Sequence, residues 1–388
     1  MSEPYFVIGT PTGLDVYTKD GLRCVDTRQT GGSLPGSGNG CAFSPDGSKM
    51  AVAHSTTPFL TIYNTSDFST VSNTWSDPPS TGNWCAYSPD GSKLAVAHAS
   101  SPYLTVYSVA TMSKLTITGG NPAGTGNGCA FSSDGALLAV AHATTPFLTV
   151  YNTSDWSKVT LAGGNPAGTA YSCAFSPDGS KLAVAHGTTP FLTVYNTSDW
   201  SKVTITGGNP AGTGGSCVFS PNGARLAVAH GTTPFLTVYN TSDWSKVTLA
   251  GGGLTNTPNI GAFSADGARF AVSLSMSPLL TLYNTSDWSK ISLPDGVPLN
   301  SGYGCAFSPT NLRKNISGLV TDDAGSPAVR AIRFYRRSSG SLVATVNSAA
   351  DGSYGPLPFI SNEELQVVFL DDSAGVLYND IIHRVIPA

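Results

Sequence analysis

Residues 144–160 read TTPFLTVYNTSDWSKVT, and the same string returns unchanged at 188–204 and at 232–248. A step of 44 residues therefore runs through the middle of the chain, and it extends outward in both directions. Cys41, Cys85, Cys129, Cys173 and Cys217 obey it; the next steps land on Gly261 and Cys305. Tyr63, Tyr107, Tyr151, Tyr195, Tyr239 and Tyr283 follow the same step, as do His54, His98, His142, His186 and His230 before Leu274 interrupts. A period of this length without a 3.6-residue apolar rhythm points to repeated small β-sheets and away from helical solenoids.

Each repeat reads as four short strands. In the copy at Cys173, CAFS and KLAVAH flank Pro177-Asp178-Gly179, where Pro presets φ and Gly accepts positive φ, so the pair reads as a hairpin. FLTVYN follows, rich in β-branched and aromatic residues, then the polar break TSDW, a fourth strand KVTI and the linker GGNPAGT. Near the start, residues 5–26 hold YFVIG, LDVYT and LRCVD, which match strands two to four, while residues 304–308 match only strand one. The two ends together supply one whole repeat. The fold expected is all-β: a seven-bladed β-propeller over residues 1–310, closed by a blade shared between N-terminal and C-terminal strands, followed by a small β-sandwich at 315–388.

Composition agrees with many short strands and turns. Only 11% of the 388 residues are charged, against roughly 25% in an average globular chain, while Gly (43) and Pro (26) are abundant. With 40% hydrophobic residues and a net charge of −4 the chain should fold. Lys and Arg form no run that would neutralise a phosphate backbone, so no nucleic-acid partner is expected. The sequence holds no apolar stretch near ~18 residues and opens without a signal-peptide pattern, so no membrane insertion and synthesis in a cytosol are expected.

The pattern SPDG, LAVAH, LTVYN over about residues 4–310 resembles the WD-repeat and related bacterial propeller families. It departs from their eponymous motif: Tyr-Asn, as at Tyr151-Asn152, stands where Trp-Asp is usual, so that family's side-chain tetrad is not carried over. After Pro309 the texture changes. Ile316-Ser317-Gly318, the stretch 323–327 and Asp351-Gly352-Ser353-Tyr354 resemble the carboxypeptidase regulatory-like, transthyretin-like domain. The ending LDDSAGVLYNDIIHRVIPA is similar to the ends of accessory proteins of tailed bacteriophages. The resemblance implies a virion protein, with the sandwich docking to other virion proteins and the propeller displayed outward; the near-identical repeats offer the alternative of a multivalent carbohydrate-binding propeller whose partner is a host surface glycan.

The periodic side chains invite chemical readings. Equivalent cysteines on adjacent blades lie beyond the ~7 Å Cα limit for a disulfide, so a small buried residue facing the next blade is expected. Cys24 lies outside the series and is expected to be packed as well. One His per repeat, with no Cys or carboxylate beside it, makes no metal site, and no cofactor is expected. The imidazoles read either as structural hydrogen-bonding groups or as part of a shallow repeated ligand site. That site would combine His54, His98, His142, His186 and His230 with Phe59, Tyr103, Phe147, Phe191 and Phe235, and with Asn165 and Asn209. An aromatic ring beside amide and imidazole groups suits a sugar. GGNPAG and HGTTPF are expected on one face of the ring, and Trp156, Trp200, Trp244 and Trp288 on the other, either stapling turns or forming an exposed protein interface. Recurring acids sit singly in turns, no nucleophile and base stand apart from the repeat, and so no catalytic residue is expected.

Overall fold

A computed structural model describes residues 35–65, 69–71, 76–292 and 305–307 with their side chains, together with Ser326, 347–351 and Ser353; further strands between 5 and 26, at 304 and between 314 and 385 are described as backbone. The chain divides into two compact units, Pro4–Thr310 and Asn311–Ala388. Among the described residues every regular element is a strand.

The repeat around Cys129 shows how the sequence makes its sheet. Gly126–Phe131, Leu137–His142 and Leu148–Asn152 pair antiparallel in that order, with Cys129 opposite Val140 and Val140 opposite Thr149. The second strand is buried almost throughout, which explains why LLAVAH reads as a continuous apolar run: both of its faces are covered. The turn before it is built by Asp134, whose Oδ1 accepts from Ser132 Oγ at 2.5 Å and from the Ala136 amide at 3.0 Å, while Gly135 takes a φ of 72°. A short fourth segment returns alongside, with Lys158 bridged to Tyr151.

The same three-strand order occupies Gly38–Asn64, Gly82–Ser108, Ala170–Asn196, Gly214–Asn240 and Pro258–Asn284, with a short fourth strand in two of them, Ser113–Lys114 and Lys290–Ile291. One further sheet joins distant segments. Gly304–Phe307 pairs with Tyr5–Thr10, placing Phe307 opposite Phe6 and Gly304 opposite Gly9, and Gly13–Thr18 and Arg23–Asp26 follow. The first strand of each repeat neighbours the first strand of the next, and Gly304–Phe307 neighbours both Pro258–Phe263 and Gly38–Phe43.

The core lies between successive sheets. Ala95, Ala97, Leu104 and Val106 of one sheet pack against Cys129, Leu138, Val140, Tyr151 and Trp156 of the next. Polar latches run the same way: Asn39, Asn83 and Asn127 each donate through Nδ2 to a backbone carbonyl of the following repeat, at Gly82, Gly126 and Ala170, over 2.8–2.9 Å. Tyr171 and Gly215 stand where the latch would continue.

In the second unit, Lys314–Leu319 pairs with Ser353–Phe359, and a separate antiparallel sheet runs Leu342–Asn347, Ala331–Arg336, Leu365–Asp371, Tyr378–Val385. The side chains of Ile316 and Tyr354 and most of 323–327 lie outside the described residues, as does that of Cys24.

Candidate functional site

The segment after each fourth strand is a strap laid across the following repeat. Its path is set by three contacts in the copy at 119–124. The Gly119 amide donates to the Trp156 carbonyl at 3.1 Å, the Tyr151 hydroxyl donates to the Gly120 carbonyl at 2.8 Å, and Lys158 Nζ donates to the Asn121 carbonyl at 2.8 Å. At the far end Gly124 lies against Thr144, so close that a Cβ would collide with the threonine side chain. The strap thus spans from the Trp turn to the TTPF loop. The expected separation of these two features onto opposite faces does not describe the strap, because one strap touches both.

Between this strap and the next lies a cleft of about 150 Å³, lined by Ala123, Pro146, Leu148, Thr149, Lys158, Val159, Leu161 and Asn165. Its floor is apolar and its lip polar. Leu148 and Thr149 are buried, Pro146, Val159 and Leu161 half-buried, and Lys158 and Asn165 exposed. The same residue types recur one period on at Pro190, Leu192, Thr193, Lys202 and Asn209, and again at Pro234, Leu236, Thr237 and Lys246. Asn165 is therefore a lining residue, and Asn209 is its periodic counterpart.

The histidines sit beneath this surface. His54, His98, His142, His186 and His230 are at most 1% exposed. Each Nε2 meets the Oγ1 of a threonine on the third strand at 2.9–3.0 Å: Thr61, Thr105, Thr149, Thr193 and Thr237. Burial pulls the His142 pKa down from 6.5 to about 4; the Thr144 backbone opposes the shift and the Lys158 charge adds to it. A neutral imidazole bonded to Thr149 orients a hydroxyl that lines the cleft, so His142 acts on the cleft only through that threonine. Direct ligand contact by these rings, one of the two sequence readings, is not what the structure places. The spacing His to Thr of seven residues recurs in five successive copies, before Leu274 takes the place of the imidazole, and is the signal that identifies the pair.

The aromatic candidates are also turned inward in part. Phe59, Tyr103, Phe147, Phe191 and Phe235 are half-buried, with φ of 64–68°, and Phe147 and Phe235 pack against core clusters. Two backbone bonds hold Phe147 in this left-handed conformation, unusual for a bulky residue: its amide to Thr144 O at 2.7 Å and its carbonyl to the His142 amide at 2.9 Å. Trp156, Trp244 and Trp288 are buried and Trp200 is half-buried. Each Trp carbonyl receives a strap amide, from Gly119, Gly163, Gly207 and Gly251, so the tryptophans staple straps to turns and do not offer an exposed interface.

The six described cysteines are free and buried. The thiols of Cys85, Cys129, Cys173 and Cys217 lie near carbonyls of the preceding repeat, as Cys173 Sγ does at 3.6 Å from Ala139 O, and burial pushes the Cys85 and Cys217 thiols up to about 12. Such thiols are poor nucleophiles and poor ligands at neutral pH. Among the described residues no three His, Cys, Asp or Glu side chains gather as a metal site would require. The turn carboxylates are held low by hydrogen bonds, chiefly from Ser88 for Asp90, at about 2, and from the Ser157 amide for Asp155.

No protein-family model matches the sequence, and no curated protein does. Among solved structures the chain is similar to Kuenenia stuttgartiensis hydrazine synthase, with 16% identity and a TM-score of 0.54 over 71% of this chain and 91% of that one. At that identity the likeness is one of fold.

Proposed function

We propose that this chain is a non-enzymatic, virion-associated receptor-contacting protein of a tailed phage. In this reading residues 4–310 form a closed seven-bladed β-propeller that displays repeated shallow clefts toward host surface carbohydrate. Residues 315–388 form a carboxypeptidase regulatory-like sandwich that anchors the ring to other virion proteins. The cleft at Lys158, most of whose lining residue types recur in the next two repeats, carries the binding reading. Imidazoles, thiols and turn carboxylates are committed to internal bonds or buried, whereas Lys158 and Asn165 and their periodic counterparts stand exposed beside an apolar floor. At about 150 Å³ the cleft is smaller than the ~300 Å³ at which drug-sized pockets begin, which fits a single sugar unit or substituent and weak binding per site. Several equal weak sites on one rigid ring gain avidity of ~10²-fold or more without new contacts.

The closed ring is supported by the sheet that joins Gly304–Phe307 to Tyr5–Thr10 and by the neighbouring first strands. The virion setting is supported by the sequence resemblance of the C-terminal unit. Mass spectrometry of purified particles made in cells expressing the chain tests that setting: the protein should co-purify with virions at a fixed ratio to the major structural proteins. Its absence from particles removes the virion part of the proposal and leaves the binding part standing.

A further inference from the structure

The lysines at and equivalent to Lys158 form a repeated set of cations without anionic partners among the described residues. Lys158, Lys202 and Lys246 are exposed, and each is tethered through one Nζ hydrogen to a strap carbonyl, at Asn121, Asn165 and Asn209, over 2.7–2.8 Å. An ammonium has three hydrogens, so each retains two donors directed away from that tether. The acids closest in sequence are otherwise occupied. Asp155 accepts from the Ser157 amide and hydroxyl, and Asp199 and Asp243 do the same with Ser201 and Ser245. Lys158 and Lys202 also stand 5.9 Å from the ring centres of Tyr151 and Tyr195, which limits their wandering. The charges of Lys158, Lys202 and Lys246 add, well after burial, to the lowering of the adjacent imidazole pKa. The chain as a whole carries a net charge of −4, so these cations are a local feature and not a general basic surface.

From this arrangement we infer that the clefts select acidic sugar units, a carboxylate or phosphate on a glycan chain bonding to the free lysine hydrogens while the sugar's apolar face rests on the Pro146 and Leu148 floor and its hydroxyls meet Asn165. The inference rests on the carbohydrate-contacting reading above and names its ligand class. The preceding repeat supplies an internal contrast, because there Lys114 is tethered to the carbonyl of Asp77, an acidic residue where the next three straps have asparagine. A carboxylate at that point opposes an anionic ligand, so the site at Lys114 should serve it less well than those at Lys158, Lys202 and Lys246.

The test uses the full chain in a binding titration with four probes: an oligogalacturonate, its carboxyl-reduced neutral counterpart of equal length, a phosphomannan oligomer, and an oligoglutamate of matched charge. The two acidic glycans should bind about 10-fold or more tightly than the other probes, since a charge-assisted hydrogen bond contributes about the 1.4 kcal/mol that a factor of ten requires. Their affinity should fall as salt rises. K158Q/K202Q/K246Q should abolish the preference for acidic over neutral sugar. K158Q alone, with a lesser loss, serves if the triple variant does not fold. A preference for only one of the two acidic glycans identifies the anion and upholds the inference. Neutral sugar binding as tightly as acidic, or a folded triple variant that keeps the preference, overturns the anionic class and leaves the carbohydrate reading intact. Equal binding of oligoglutamate reduces the site to bare charge and overturns the inference. Failure of every glycan to bind removes the carbohydrate reading itself.

Discussion

The repeat around Cys217 and the one that follows it hold nearly the same backbone with different interiors. Cys217 faces Val228 across the first two strands, and Gly261 faces Val272 in the same register. Leu226 becomes Phe270, His230 becomes Leu274, and Ala229 becomes Ser273. The lost thiol and the added ring compensate: a Cβ on Gly261 would lie 2.5 Å from Phe270 Cζ. Phe270 then enters an aromatic group with Phe263 at 4.6 Å and Trp288 at 5.8 Å between ring centres. Where the imidazole is gone Leu274 is as buried as His230 was, and the pairing continues. The pair teaches that Cys and His in this series are packing units, exchangeable for apolar volume, while Lys290 of the altered repeat keeps the strap tether, to the Gly253 carbonyl.

Acid should separate the two repeats most strongly. The five imidazoles have folded-state pKa values of about 4 against an ordinary 6.5. They bind protons more readily unfolded than folded, so stability is complete above about pH 6.5 and declines as pH falls from there toward 4, by up to roughly 3 kcal/mol per imidazole. The turn carboxylates, with depressed values, lose their contribution only at lower pH, below about 4. Thermal melting should therefore drop steeply between pH 6.5 and 4, and His230→Leu, which copies the altered repeat, should shrink that drop by about one fifth. A melting temperature flat across this window contradicts buried neutral imidazoles.

A smaller effect tests the compensation at Gly261. Gly261→Cys alone restores the periodic residue into occupied space and should cost about 2 kcal/mol in denaturant unfolding, within the range of overpacking. Pairing it with Phe270→Leu should recover most of that loss, because the two positions share one volume and their effects are not additive. Additive losses in the double variant would mean that the two side chains do not compete.

The contrast between repeats also marks what could be read without coordinates. Strand order and turns were legible because they depend on neighbours within about twenty residues, where alternation, the Asp-Gly turns and the 44-residue step all agree. Pairing of residues 5–10 with 304–307 was legible because each end lacked what the other supplied. The cleft was not. Lys158, Asn165 and Thr149 meet through the path of the strap, which depends on carbonyls at Asn121 and Trp156, and backbone acceptors leave no mark on a sequence. The tryptophans were ambiguous for the same reason, since it is their carbonyls that receive the strap. The His and Thr pair was in view as a seven-residue spacing, and the recurrent lysine of SKVT was in view as a fixed step that a search for basic runs passes over.

The number of ligand sites per chain distinguishes a repeated binding element from a unique one. Native mass spectrometry of the full chain with a short oligogalacturonate should show more than one equivalent binding in succession, the sites at Lys158 and Lys202, flanked by Asn165 and Asn209, filling before that at Lys246, where Gly253 takes the asparagine's place. Saturation at a single equivalent, unaffected by substitution of these lysines, would contradict a repeated cleft as the binding element and point instead to one unique site on the ring.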